Sequence, residues 1–197
     1  MDISNNDITG FVLAGGKSSR MGYDKGLINV GESTLIQSAV NLMKAFTTNV
    51  YILAPTEKYK NIGVPCIADK IDSRGPLSAL YTGLISSRTQ INIFLACDMP
   101  KMRLEFIRYL VKKSSQHDAV LMKFTDGNVE PLCGIYKKSC LTIIKSNFEH
   151  NQYKLSKLLA ELNVAYISEK NLNYLGLDRS IFTNINTPED LKSLSPK

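Results

Sequence analysis

The stretch Leu13-Ala14-Gly15-Gly16-Lys17-Ser18-Ser19-Arg20-Met21-Gly22, followed by Asp24-Lys25-Gly26, gathers four glycines and three cations in a short span. Glycines let backbone N–H groups approach a ligand closely, and Lys17, Arg20 and Lys25 can neutralise phosphate oxygens, so the string reads as an anion cradle. The alternative is a glycine-rich surface turn with solvated lysines, which strains over so long a string. Two familiar phosphate loops are excluded. GxGxxG is absent, and Phe11 stands where the Walker A spacing needs its first glycine, so Gly16-Lys17-Ser18 is a decoy. A second candidate is Asp98 in Cys97-Asp98-Met99-Pro100, which follows the most apolar run of the chain. A hard carboxylate at the carboxyl end of a buried strand can hold Mg²⁺ against substrate phosphates, although an aspartate capping the next turn is the plain alternative. Asp69, ahead of Ser73-Arg74-Gly75-Pro76-Leu77, and Glu130, in VEPLCGIY, are weaker acidic candidates open to capping or surface readings. In Asn184-Ile185-Asn186-Thr187-Pro188 the period-two spacing turns Asn184 and Asn186 to one side if a strand persists that far, where they could hydrogen-bond a polar ligand; ordinary capping before a helix is the more natural reading of the bare pattern.

What is missing narrows the chemistry. The only histidines, His117 and His150, lie in polar segments, so no Ser/His/Asp or Cys/His set can be argued and a covalent intermediate is disfavoured. If the acceptor is a phosphate monoester, its second pKa of about 6 leaves it largely ionised near neutrality, and no protein base is needed. Catalysis then reduces to placement and charge neutralisation, with Mg²⁺ on Asp98 and with Lys25 and Arg20 shielding phosphates so that two anions can meet in line.

These residues need a frame. Thr9 to Ala14 reads as a buried strand entering the cradle, and Ser33 can cap an amphipathic helix through Phe46. Asn49 to Ala54 and Gly63 to Ala68 read as strands, and Pro76 suits the first position of a helix to about Ser87. Ile91 to Cys97 is expected at the sheet centre, followed by a helix from about Leu104 with Phe106, Ile107, Leu110 and Val111 on one face. The alternation is that of a doubly wound α/β sheet. Asp118 to Phe124 and Val129 to Tyr136 flank the turn Asp126-Gly127, so one antiparallel pair should enter. Helices over Ser139 to Glu149 and Lys154 to Leu162 are expected, then a strand Val164 to Ser168, a loop through Lys170 to Arg179 and a last strand Phe182 to Ile185. Thr187-Pro188-Glu189-Asp190 announces a C-terminal helix.

The 197 residues, 44% hydrophobic and 21% charged, fit one globular domain over 1–197, with no repeat or linker. No apolar run approaches a membrane span and the start MDISNNDITG lacks the regions of a signal peptide, so a soluble cytoplasmic protein without a membrane partner is expected. Cys66, Cys97, Cys133 and Cys140 are widely spaced without CxxC, which favours reduced, mostly buried thiols over a zinc site. With 24 basic against 18 acidic residues the net charge is +6, suited to anionic ligands, but the basic residues form no aromatic-interleaved stripe, so no nucleic-acid partner is expected.

LAGGKSSRMG…DKG, Gly75-Pro76-Leu77, CDMP and NINTPED together resemble the molybdenum cofactor guanylyltransferases, also called molybdopterin-guanine dinucleotide synthases, over nearly the whole chain. The resemblance implies a three-layer Rossmann-like nucleotidyltransferase fold with a mostly parallel mixed sheet. It implies that GTP and Mg²⁺ are required, and that GMP passes to the terminal phosphate of molybdopterin, or Mo-molybdopterin, with release of pyrophosphate. Molybdopterin-delivery proteins and molybdoenzyme chaperones would be its protein partners. By the same likeness, Leu13, Ala14, Gly15 and Gly16 would meet the nucleotide through their backbone, with side chains from Lys25, Asp69 and Asp98, the last holding the metal. Arg20, Gly22, Gly75, Asn184 and Asn186 would line the active site or the acceptor side. The chain departs from the pattern at Leu53-Ala54-Pro55, where members of the family can carry an asparagine, so a base or ribose contact there must be lost or replaced.

Relatives that use CTP share the superfamily loop but resemble LAAG at the first strand, whereas Gly15-Gly16 here gives LAGG, which favours guanine. Sugar-phosphate nucleotidyltransferases are usually longer chains. A non-catalytic nucleotide-binding protein could keep the cradle, but retention of Asp98 with Lys25 and Arg20 argues for a reaction.

Overall fold

The computed structural model describes residues 4–14, 24–71, 75–186 and 190, leaving aside the side chains of Thr56 and Glu57. The strands are β1 (Ile8–Leu13), β2 (Asn29–Val30), β3 (Ser33–Thr34), β4 (Asn49–Leu53), β5 (Cys66–Ile67), β6 (Ile91–Ala96), β7 (Ala119–Lys123), β8 (Val129–Lys137) and β9 (Val164–Ile167). The α-helices are α1 (Leu35–Lys44), α2 (Pro76–Ser86), α3 (Leu104–Lys113), α4 (Cys140–Glu149), α5 (Leu155–Glu161) and α6 (Glu169–Tyr174). Seven strands form one sheet in the order β5-β4-β1-β6-β8-β7-β9, with β6 at its centre as its sequence predicts. Pairing is parallel except on the two flanks of β8, which runs against β6 and β7, so the sheet is mixed.

Period-two alternation divides the core between the two faces of this sheet. Ile8 and Val12 of β1, with Ile93 and Leu95 of β6, pack against α1, α3 and α6 through Val40, Met43, Phe106, Leu110 and Leu172. Phe11 and Phe94 point the other way, stack with ring centroids 5.1 Å apart, and meet Leu77, Leu80, Ile144 and Leu158 of α2, α4 and α5. The result is the expected three-layer α/β arrangement, with Phe106, Ile107, Leu110 and Val111 all on the buried face of α3. The four cysteines are free thiols, three of them buried. Among the described residues no helix is long and apolar enough to cross a membrane.

Several local expectations give way. Ser33 does not cap α1; it pairs with Val30 in a small hairpin, and Thr34 caps instead, its hydroxyl accepting from Gln37 N at 3.3 Å. That bond contributes about 1 kcal/mol, while burial of Leu35, Ile36, Val40 and Met43 stabilises by about 1.5–3 kcal/mol apiece, so packing decides the helix and the cap only its start. The connection Lys170 to Arg179 is not all loop. The Asn171 amide oxygen accepts from the backbone N–H and hydroxyl of Ser168 at 3.0 and 2.9 Å, and buried Leu172 anchors α6. Phe182 to Ile185 forms no strand. Phe182 ends a 3₁₀ turn, Arg179–Phe182, and its ring packs edge-on against Phe106 and Phe124, so its apolar surface is covered without a ladder. Thr187-Pro188-Glu189 lies outside the described residues, while Asp190 is helical and its carboxylate accepts from Asn186 N at 2.7 Å.

The register sets the site. Leu13 is level with Leu53 on one side and Ala96 on the other, so β1, β4 and β6 release the chain at the same carboxyl edge. Ala14 N bonds Leu53 O and Cys97 N bonds Leu13 O, both at 3.1 Å. Because β8 is antiparallel to β6, with Cys133 opposite Leu95, its beginning, including Glu130, also lies toward that edge.

Candidate active site

Asp98 leaves the central strand two residues past Ala96 and is held from the far end of the sequence, since Ile185 N donates to its backbone carbonyl at 2.9 Å. One carboxylate oxygen stands 3.8 Å from the Lys25 ammonium, both side chains being 23% exposed. The other, Oδ1, is buried and accepts no hydrogen bond from any described residue. Burial raises the Asp98 carboxyl above its ordinary range, and Lys25 offsets only part of that. Lys25 also donates to Asn186 Oδ1. One ammonium group therefore links three stretches of sequence that are far apart: the segment after the cradle, the end of β6, and the segment before the C-terminal residues.

Lys25 is set by its neighbours. Asp24 caps the 3₁₀ turn Lys25–Leu27, its Oδ1 accepting from Gly26 N at 3.0 Å. The same oxygen accepts from the Tyr59 hydroxyl at 2.6 Å, and Oδ2 pairs with Lys58 Nζ at 3.1 Å. Burial alone would raise the Asp24 carboxyl, but the bonds from Tyr59, Lys58 and Gly26 together hold it below the usual value, so it is a firmly ionised anchor. Gly26 makes room for Tyr59, because a Cβ there would lie 2.7 Å from the phenolic oxygen. In Asp24-Lys25-Gly26 the first residue thus anchors, the second reaches the site, and the third clears space. Tyr59 and the anchoring role of Asp24 escape a reading of the sequence; the available signal is a lone aromatic in the polar stretch TEKYKN.

The other candidates divide. Leu13 and Ala14 stand at the edge where β1 ends. Gly75 adopts φ 83 and ψ −162 immediately before Pro76 opens α2, a conformation open in practice only to glycine. Asn184 Oδ1 is buried and, like Asp98 Oδ1, has no hydrogen-bond partner among the described residues. Glu130 accepts from Leu132 N at 3.0 Å; burial raises its carboxyl, and the nearby Asp98 charge adds to that. Asp69 follows β5 and is largely exposed. What enclosure it has raises its carboxyl against a hydrogen bond with Thr82 that lowers it, and no contact among the described residues joins it to Lys25 or Asp98. Gly15, Gly16, Lys17, Arg20 and Gly22 lie outside the described residues. Asn184 and Asn186 both reach the neighbourhood of Asp98, but on an irregular segment rather than on a strand.

A mostly parallel sheet whose carboxyl edge presents a partly buried carboxylate beside a lysine, downstream of a glycine-rich segment, is suited to binding a phosphorylated ligand such as a nucleotide. Residues 10–166 match the family described as the MobA-like NTP transferase domain, and the chain belongs to that family. It is 31% identical to a molybdenum cofactor guanylyltransferase of Syntrophotalea carbinolica over 92% of this chain and 87% of the relative. It is also 31% identical to a probable molybdenum cofactor guanylyltransferase of Flavobacterium johnsoniae, over 95% and 96% of the two chains. Among solved structures, the molybdopterin-guanine dinucleotide biosynthesis protein A of Archaeoglobus fulgidus superposes with a TM-score of 0.79 at 24% identity, covering 94% of this chain and 96% of that one. A 4-diphosphocytidyl-2C-methyl-D-erythritol synthase of Anaerococcus prevotii gives 0.72 at 13% identity, over 96% and 95%, which extends the shared fold to an enzyme named for a different product.

Proposed function

We propose that this chain transfers GMP from GTP to the terminal phosphate of molybdopterin, in its free or molybdenum-loaded form, giving the guanine dinucleotide and pyrophosphate. The observation that carries the reading is the Lys25 ammonium set 3.8 Å from Asp98, whose second carboxylate oxygen is buried and unpartnered among the described residues. The names of the relatives supply the guanine base and the acceptor. An oxygen of the acceptor phosphate attacks the α-phosphorus of GTP, the bond from that phosphorus to the bridging oxygen breaks, and pyrophosphate leaves with the electron pair. The acceptor is already an anion, so the protein need not remove a proton; its work is to bring two anions together.

Lys25 suits that work. Its ammonium is held by Asp98 and Asn186 and is free of any large reorganisation when phosphate oxygens arrive. Arg20 would add a second cation, and the backbone of Leu13 to Gly16 would line the nucleotide. Gly75, Gly22, Asn184 and Asn186 would face the acceptor, with Asp69 on the nucleotide side. Mg²⁺ fits the residues present. A buried carboxylate oxygen lacking a hydrogen-bond donor is costly on its own and suits a hard cation, so Asp98 would hold the ion. When bound, the ion would neutralise charge on the triphosphate and polarise it toward attack. On this reading the enzyme works in the cytoplasm, alongside molybdopterin-delivery proteins and molybdoenzyme chaperones.

The test is pyrophosphate release with each of the four NTPs, Mg²⁺ and molybdopterin, with Lys25→Met and Asp98→Ala beside the parent protein. Release with GTP alone, lost in both variants, is expected. Release with CTP instead would overturn the base, and release without molybdopterin would overturn the acceptor.

A further inference from the structure

Tyr59 is 1% exposed, yet it comes from the connection between β4 and β5 rather than from a regular element. It interrupts the 3₁₀ segment Thr56–Ile62 with φ −121 and ψ 22, and its ring joins the core on the face of α1 and α3. Packing alone would be served as well by phenylalanine. A hydroxyl buried at such a place is costly unless bonded, and here its partner is an ionised carboxylate at 2.6 Å, a strong charge-assisted bond. The same oxygen stands 3.3 Å from the carbonyl of Ala14. Ala14 and Asp24 are the residues that flank segment 15–23, so one side chain from a separate loop contacts both ends of the glycine-rich stretch. Of the side chains that bond Asp24, Lys58 is 55% exposed, which leaves Tyr59 as the anchor rooted in the core.

Resting on the proposed transfer reaction, we infer that Tyr59 is a positioning residue: its hydroxyl, lying beside the Ala14 carbonyl, gives its one proton to Asp24 and, through Asp24, sets Lys25 beside Asp98. The chain of contacts is continuous. Tyr59 Oη fixes Asp24, Asp24 caps the turn that begins at Lys25, and Lys25 reaches Asp98 and Asn186. Tyr59 lies four residues past Pro55, in the connection that follows Leu53-Ala54-Pro55.

The test compares the parent with Tyr59→Phe, Asp24→Asn and the double variant in pyrophosphate release. Tyr59→Phe keeps the ring, so it should fold. Its kcat should fall about 10- to 100-fold, the size expected from one charge-assisted bond that places a catalytic group, with KM for GTP moving far less. Because Tyr59 acts through Asp24, the double variant should lose no more than the worse single; losses that multiply would overturn the proposal. Hydrogen exchange without nucleotide gives a readout independent of turnover. The amides of Gly26, Leu27 and Ile28 should exchange faster in Tyr59→Phe while those of β1 and β6 keep their protection, and unchanged exchange at all of them would overturn it. If the parent releases no pyrophosphate with any NTP, the transfer reading falls, and exchange still decides whether the hydroxyl holds Lys25 in place.

Discussion

Gly26→Ala puts one methyl group against Tyr59, the residue that bonds Asp24. The new Cβ would lie 2.7 Å from Tyr59 Oη and 3.2 Å from two ring carbons. Since favourable contacts begin near about 3.5 Å, the tyrosine must withdraw by about 0.5–1 Å. Its bond to Asp24, 2.6 Å in the parent, would then pass the limit of a good O–H···O contact, about 3.0 Å. A hydrogen bond to a charged group contributes about 1.5–3 kcal/mol. Overpacking costs about 1–3 kcal/mol, and giving up the bond is how that strain is relieved, so the two do not add. Replacing glycine where φ is unexceptional returns about 0.4–1 kcal/mol through the unfolded chain. The net loss is about 1–2 kcal/mol, and at about 2–4 °C per kcal/mol for a chain of this size Tm should fall by about 2–8 °C. Thermal unfolding followed by circular dichroism reads this directly. In a Tyr59→Phe background the closest clash is gone and the bond is already absent, so the same substitution should cost less than half as much. A variant that melts with the parent, or an equal loss in both backgrounds, would mean that Gly26 is not making room for the Tyr59 hydroxyl.

Asp98→Asn should abolish turnover yet raise metal-free stability at neutral pH. Burial lifts the folded carboxyl above its unfolded value of 3.8, so the ionised form burdens the folded state; that burden is absent below 3.8 and complete above the folded pKa. The advantage of the Asp98→Asn variant should therefore grow as pH rises through that window, and denaturant unfolding that finds this variant weaker than the parent at about pH 8 would contradict it. Thr34→Ala removes the cap of α1 and should cost about 1 kcal/mol, a Tm loss of about 2–4 °C, with kcat unchanged. Gly75→Ala meets no atom of the described residues within 4 Å, so the loss expected is that of its positive φ. It should cost about 1–3 kcal/mol in chemical denaturation and lower kcat/KM together with it, whereas a neutral result would mean the turn relaxes freely.

The layers of the fold were legible because they follow from local period. INIFLAC reads as a buried strand because it is the most apolar run of the chain, and it lies at the centre of the sheet; the face of Phe106, Ile107, Leu110 and Val111 specified α3. Asp98 was legible for the same reason, since the end of the most apolar strand marks the carboxyl edge. The misread elements are those whose apolar residues are too few for a period. Phe182 is buried by two aromatic rings rather than by a ladder, and α6 rests on an Asn171 to Ser168 cap and a single buried leucine.

The α/β alternation, the glycine-rich segment with its cations and the carboxylate where the central strand ends were all legible along the chain, because each depends on near neighbours in sequence. That Lys25, Asp98 and Asn186 meet, and that Tyr59 bonds Asp24, follows from packing between distant segments. The contacts among these residues join positions 35 to 161 apart in the chain, and their physical basis is the parallel register that releases β1, β4 and β6 at one edge. Backbone periodicity places a side chain on a face, but which distant side chain it meets is settled only when the sheet closes.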